Sequence, residues 1–296
     1  MNPKALGSTF TALTLLGAVS AAETGLDPAQ RFSPLIVGTP PPENLDLRFE
    51  SKVVSKYVDQ GAVLNDDASL TAKVSGRIWG LGAQIDAAMA LGGDSRDLHD
   101  TAFPDVIALG IKVDYLAEFE FAQGVPLVTV NPYYEYRTYP VQPSRYSDGE
   151  LNRAKQMQRW LGVDAWAGIP YEGWQGIEFG AGLAFNTAPD SQEVRGGIGS
   201  RQFIQVDGFD VALHQILGFG NSGYRRHIVG GDGDNSGFTT FSVGGTVTKA
   251  LPYREWFVSG SAGVAWWIDP DDRNAQGNRD SAIITLSMGV EWIPNH

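Results

Sequence analysis

The sequence predicts an all-β chain, an up-and-down antiparallel transmembrane β-barrel of about twelve strands. Three observations carry this expectation. From Leu45 onward polar and apolar residues alternate in segments of roughly nine to thirteen residues, the length a tilted strand needs to cross a bilayer. The connections between these segments alternate between short and long. Aromatic residues gather at the segment ends, at Tyr57, Trp79, Tyr115, Trp174, Tyr253, Trp256, Trp266, Trp267 and Trp292, where headgroup girdles belong.

Taken in order, residues 1–22 read as a secretory signal peptide. Lys4 supplies the positive start, residues 10–19 the apolar core, and the small residues around Ser20 and Ala21 the cleavage site. Residues 23–44 hold Pro34 and the run Pro40, Pro41, Pro42. That composition predicts a stiff, unpaired periplasmic extension, or a segment that dips into the barrel as a plug. Residues 45–296 are assigned to the barrel.

Strand one sets Leu45, Leu47, Phe49, Val53 and Tyr57 on one face, opposite Asp46, Arg48, Glu50 and Lys52. Strand two sets Leu70, Ala72, Val74 and Ile78 against Lys73 and Arg77. Strand three carries Ile85 and Met89 against Asp86, and strand four Ile107, Leu109, Ile111, Val113 and Tyr115 against Lys112 and Asp114. The fifth holds Glu135 and Arg137, and its Pro132 predicts a local weakness or bulge. Strands six to nine place Asp164, Glu178, Arg195, Arg201, Asp210 and His214 on the polar face. Strands ten and eleven offer mostly Thr, Ser and Gly, and the last, from Ser281 to Trp292, alternates Ile284, Leu286, Met288, Val290 and Trp292 with Thr285, Ser287, Gly289 and Glu291.

Magnitude decides which face meets lipid. Each Arg or Lys turned toward mid-bilayer hydrocarbon costs about 2–4 kcal/mol, so the ionic face is expected to enclose a lumen. The lumen-lining set is Arg48, Glu50, Lys52, Lys73, Arg77, Asp86, Lys112, Asp114, Glu135, Arg137, Asp164, Glu178, Arg195, Arg201, Asp210, His214 and Glu291. Its signs nearly cancel, which argues against a strongly charge-selective lining. The formal charge of −12 then falls mostly on the loops, and it argues against a nucleic-acid partner. Basic strands one and two facing Glu178 and Asp164 would set a transverse field; the alternative is a set of salt bridges that stiffens a narrow barrel.

Short connections are expected at residues 79–80, 122–124, 170–173, 207–208 and 251–253, and long polar loops elsewhere. Residues 148–157 combine a capping start with helix formers, so a short helix is plausible there, with Arg153 and Lys155 as constriction candidates. No catalytic group stands out. His214 shares a face with Asp210, yet four strand residues separate them by roughly 13 Å, too far for a relay. A loop protease built on His227 with Asp232 or Asp234 is a weaker alternative. Residues 218–223 fit a glycine-rich nucleotide pattern without the βαβ context it needs. Residues 232–237 fit half a calcium loop, with Val243 where the closing Glu belongs. With no Cys in the chain, thiolate metal sites are excluded; no cofactor or metal is assigned.

The last strand, ending on Trp292, resembles the closing strand of bacterial outer-membrane β-barrels, although Ile293, Pro294, Asn295 and His296 follow the aromatic. The run Ser55-Lys56-Tyr57-Val58-Asp59-Gln60-Gly61 with the following strand is similar to the opening hairpin of TorF-type porins, with Gln60 where that family has Arg. These resemblances imply a Gram-negative outer-membrane location, contact with outer-membrane lipid and insertion by the barrel-assembly machinery. The functional expectation is a passive channel for small polar solutes. A structural or adhesive barrel with a closed lumen, and a soluble periplasmic ligand-binding barrel, are the alternatives. Alternation alone does not separate a membrane barrel from a soluble one.

Overall fold

The structure, a computed structural model, describes residues 45–59, 62–65, 67–91, 106–120, 127–140, 157–171, 174–189, 192–225, 236–252, 255–269 and 282–294. Twelve long strands form the wall. They are β1 (Asp46–Val54), β4 (Ser69–Ile78), β5 (Leu81–Ala90), β6 (Val106–Tyr115), β8 (Leu127–Thr138), β9 (Met157–Tyr171), β10 (Trp174–Asn186), β11 (Val194–Val206), β12 (Phe209–Gly220), β13 (Gly237–Ala250), β14 (Trp256–Trp267) and β15 (Ala282–Trp292). Two short strands, β2 (Tyr57–Asp59) and β3 (Ala62–Asn65), pair as a separate hairpin, and β7 (Ala117–Glu120) flanks the start of β8. A three-residue helix, α1 (Ser222–Tyr224), is capped by the Asn221 side chain.

Sequential strands pair antiparallel, and two further pairings close the ring: β1 with β15, and β6 with β8. Closure gives each of the twelve wall strands a partner on both sides, which hydrocarbon requires because it offers unpaired backbone groups nothing to bond. The tight turns follow from backbone chemistry. Trp79 and Gly80 have φ of 50° and 83°, and Asp207 and Gly208 have 49° and 79°. Positive φ at both central positions is the primed turn that matches strand twist.

The side chains sort by the pleat. Ile85 and Ile284 are 60% exposed and Met288 is 70%, whereas Arg48 is 1% and Glu178 0% exposed. An exposed belt of Leu, Ile, Val and Phe around a charged interior is the inverse of a water-soluble barrel, and it makes the wall a membrane-spanning one. Trp79, Tyr115, Trp256 and Trp266 stand exposed at strand ends. Phe49, Trp256 and Trp292 stack across β1, β15 and β14, with centroids 5.1 and 6.2 Å apart around Trp292.

Several expectations are corrected. Strand one ends at Val54, so Tyr57 leaves the wall and starts the β2–β3 hairpin. Trp267 is buried and faces inward, as alternation demands of any neighbour of the outward Trp266. Ile107 was expected on the lipid face, but it is 3% exposed. Ala88 faces Ala108 while Met89 faces Val106, so Ile107 is the extra residue of a bulge. It packs with Ala88, Ala90, Ala108 and Tyr139. β9 begins at Met157 and runs through Pro170, beyond the expected boundaries. Pro132 does mark a weakness. β8 pairs with β6 as far as Tyr133 and with β7 from Val130, so the proline, which has no N–H to offer, stands opposite the gap between them. Residues 1–44, the helix expected from residue 148, the calcium-like run to residue 235, Tyr253, and His99, His227 and His296 lie outside the described residues.

Candidate functional site: the barrel interior

The pleat sets the residues of the expected lining on the sheet face opposite the apolar belt. β1 supplies Arg48, Glu50 and Lys52, β4 Lys73 and Arg77, β5 Asp86, β6 Lys112 and Asp114, and β8 Glu135 and Arg137. β9 to β12 supply Asp164, Glu178, Arg195, Arg201, Asp210 and His214, and β15 supplies Glu291. Lys73, Asp86 and Arg137 are partly covered and the others are buried.

These charges pair with near neighbours. Arg48 meets Asp46 at 2.7 Å and Lys52 meets Glu50 at 2.9 Å on the same strand. Arg201 pairs with Glu178, directly opposite it on β10. Arg195 reaches Glu135 at 3.1 Å. Two pairs bridge a strand. Arg77 pairs with Asp114 over Gly82, and Arg137 meets Asp86 at 3.2 Å over Gly110. A Cβ at either glycine would collide with the carboxylate beside it. Glycine is thus what lets an Arg on one strand reach an acid two strands away. Glu178 already has Arg201, and Arg48, Lys52 and Arg77 already have their own acids, so the arrangement is nearer the expected set of salt bridges than basic strands facing bare acids.

Aromatic rings share this wall. Trp166 lies over Gly180 and Tyr133 over Gly162, each its direct cross-strand partner. Guanidinium groups cover two of the rings, Arg201 at 3.9 Å from Trp166 and Arg195 at 4.4 Å from Trp160, while Lys112 lies 4.0 Å from Tyr133. Such cation–π contacts add about 0.5–2 kcal/mol each, more where water is excluded.

The opposite wall is chemically different. The inward positions of β13, β14 and β15 include Thr240, Ser242, Gly244, Thr246, Thr248, Ser259, Ser261, Gly263, Thr285, Ser287 and Gly289, with Glu291 the only charge among the described residues there. His214 on β12 lies against Gly244, its direct partner on β13. A hydrogen-bonding but almost uncharged strip therefore faces a wall of paired ions.

One end of the interior is occupied by the chain itself. The β2–β3 hairpin follows β1 at the end where the longer connections lie, and its Asp59 is 3% exposed. Asp59 accepts hydrogen bonds from Arg137 at 2.6 Å and from the Tyr139 hydroxyl at 2.8 Å; Arg137 also donates to the Tyr57 hydroxyl at 3.4 Å. Val58 packs with Tyr133, Trp160, Tyr224, Trp267 and Ile283. Burial pushes the Asp59 carboxyl above its usual range, with Glu135 adding and Arg137 opposing. Burial also pushes the Tyr57 and Tyr139 hydroxyls upward. Sequence reasoning missed Asp59 and Tyr139, which lie 80 residues apart; the one available signal was Val58 and Val63 on either side of the dipeptide Gln60-Gly61.

No protein-family model and no curated protein matches the chain. Several solved structures do, at low similarity. One is an outer-membrane protein of Vibrio cholerae, OmpT with its loop L8 deleted: 9% identity, 84% of this chain and 99% of that one, TM-score 0.38. Another is CymD, a monoaromatic hydrocarbon channel, at 8% identity over 96% of this chain and 99% of that one, TM-score 0.40. A third is Pseudomonas aeruginosa OccK5, at 10% identity over 84% and 67% of the two chains, TM-score 0.35.

Proposed function

We propose that this protein is an outer-membrane channel for the passive diffusion of small polar solutes, with the β2–β3 hairpin narrowing its external mouth. The observation that carries the reading is the inversion of the barrel, an apolar outside around a polar interior in which Arg48, Lys52, Arg77, Arg137, Arg195 and Arg201 are each paired with an acid. A wall that neutralises its own charges holds no strong trap for a passing ion, which suits permeation. Hydroxyl groups on β13 to β15 supply an uncharged path beside that wall. Lipid contacts the outer face, and insertion depends on the barrel-assembly machinery; depleting that machinery is expected to remove the folded protein from outer-membrane fractions.

Purified protein in planar bilayers tests the channel. Single-channel steps are expected, and they should grow when residues 57–65 are deleted. An absence of steps from both proteins would remove the reading. A second reading, a structural barrel with a closed lumen, is favoured by the near-complete burial of interior groups such as Trp160 and Glu178, both 0% exposed. Steps that appear only in the deletion variant would favour a channel gated by its hairpin over that static barrel.

A further inference from the structure

The inner face of β13 carries four hydroxyls that the rest of the molecule leaves unused. Thr240, Ser242, Thr246 and Thr248 are each about 1% exposed or less, and none of their Oγ atoms has a hydrogen-bond partner among the described residues. They stand at alternate positions of one strand, interrupted only at Gly244. Leaving one buried hydroxyl unpaired is costly, and leaving four in a column more so. Among the described residues nothing satisfies this column, so its partners are water or a solute in the lumen.

Two indoles supply a second, independent observation. Trp267 lies directly opposite Thr240, and Trp166 packs on Ile216, which lies directly opposite Ser242. Their Nε1 atoms are buried and also lack a partner. Indole N–H only donates, whereas a hydroxyl both donates and accepts. At the Gly244 gap the imidazole of His214 occupies the missing position. No carboxylate or ammonium projects from the inner face of β13; Lys249, near its end, lies over the Phe209 ring. The hydroxyls and the indoles are neutral; the carboxylate beside them is Asp210, directly opposite Thr248 on β12 and hydrogen-bonded by Gln205.

We infer that the inner face of β13, with Trp166 and Trp267, forms a hydrogen-bonding track for small neutral polyhydroxylated solutes. A polyol matches it because each of its hydroxyls also donates and accepts, so successive hydroxyls of the solute exchange partners with alternate residues of the strand, about 7 Å apart. An ion gains less there, since nothing on the inner face of the strand carries compensating charge. This inference rests on the channel reading and specifies what that channel prefers.

The test compares fluxes of ribitol and potassium chloride into liposomes holding the full-length mature protein, its Thr246→Val/Thr248→Val variant and its Ser242→Ala variant. Both replacements remove an unpaired hydroxyl without adding bulk, so folding is expected to survive, as heat-modifiable mobility would record. The ribitol-to-salt flux ratio is expected to fall about five-fold in the double variant, the loss of one or two ordinary hydrogen bonds in transit. An unchanged ratio in both variants overturns the track, as does a wild type that passes salt and excludes ribitol. If neither solute crosses, in wild type or in the hairpin deletion, the channel reading itself fails.

Discussion

Arg201 and Glu178 face each other on β11 and β10, and both side chains are almost wholly excluded from solvent. Removing one ion of such a pair strands the other, a loss of about 3–5 kcal/mol, whereas replacing both with apolar groups of similar volume is close to neutral. Glu178→Ala should therefore lower the unfolding midpoint in detergent strongly, and Glu178→Leu/Arg201→Met should recover most of it; a double variant as unstable as the single would contradict the pairing. The glycines beside the large inner side chains make a second residue-scale prediction. A methyl at Gly180 has no room against Trp166, so Gly180→Ala should displace that ring and shift its fluorescence, while Gly260→Ala, which meets nothing closer than 3.9 Å, should leave the spectrum unchanged. The inward charges were legible in the sequence, since period-two alternation and the cost of an ion in lipid assign them. Tyr133 and Trp166 were not, because an aromatic ring suits either face; the signal lay in Gly162 and Gly180, which open space for those rings on the neighbouring strands.

The β2–β3 hairpin behaves as an element with its own titration. Facing Asp59 are Arg137 and Glu135 of β8 and Tyr139 just beyond it, Tyr57 of its own strand, and Asp86 of β5 through Arg137. Burial holds the docked Asp59 above its ordinary range despite Arg137. A carboxyl raised in the docked state stabilises docking fully below its ordinary range, and that contribution is lost as pH rises through the raised value. Conductance should therefore be lower in acid and rise as pH climbs past the Asp59 transition, and Asp59→Asn, which cannot ionise, should flatten that step. A step of equal size in both proteins would assign the titration elsewhere. The sequence hid this element because Val53 and Tyr57 keep the parity of strand one, and because the partners that draw Asp59 inward come from a distant strand. By contrast, the Trp79-Gly80 and Asp207-Gly208 turns were legible, since a glycine after a turn residue between alternating segments specifies a primed hairpin.

At the scale of the whole molecule, closure and facing are one property. β15 joins β1 with Glu291 opposite Glu50 and Val290 opposite Ser51, so a slip of one residue would turn Leu286, Met288 and Val290 inward and Glu291 into lipid. Leu286→Arg should cost about 2–4 kcal/mol of stability in bilayers, and folding titrations in liposomes would measure it. Strand number and order were legible from the long and short connections, while the chemical division into an ion-paired wall and a hydroxyl wall emerged only when register placed β13 to β15 side by side. The most direct test of the inverted barrel is a nitroxide scan of β15 in lipid, reading collisions with oxygen and with a water-soluble nickel chelate. Labels at Ile284, Leu286, Met288 and Val290 should be reached by oxygen and shielded from nickel, with Ser287 giving the opposite balance; nickel access at the first four and none at Ser287 would contradict the account.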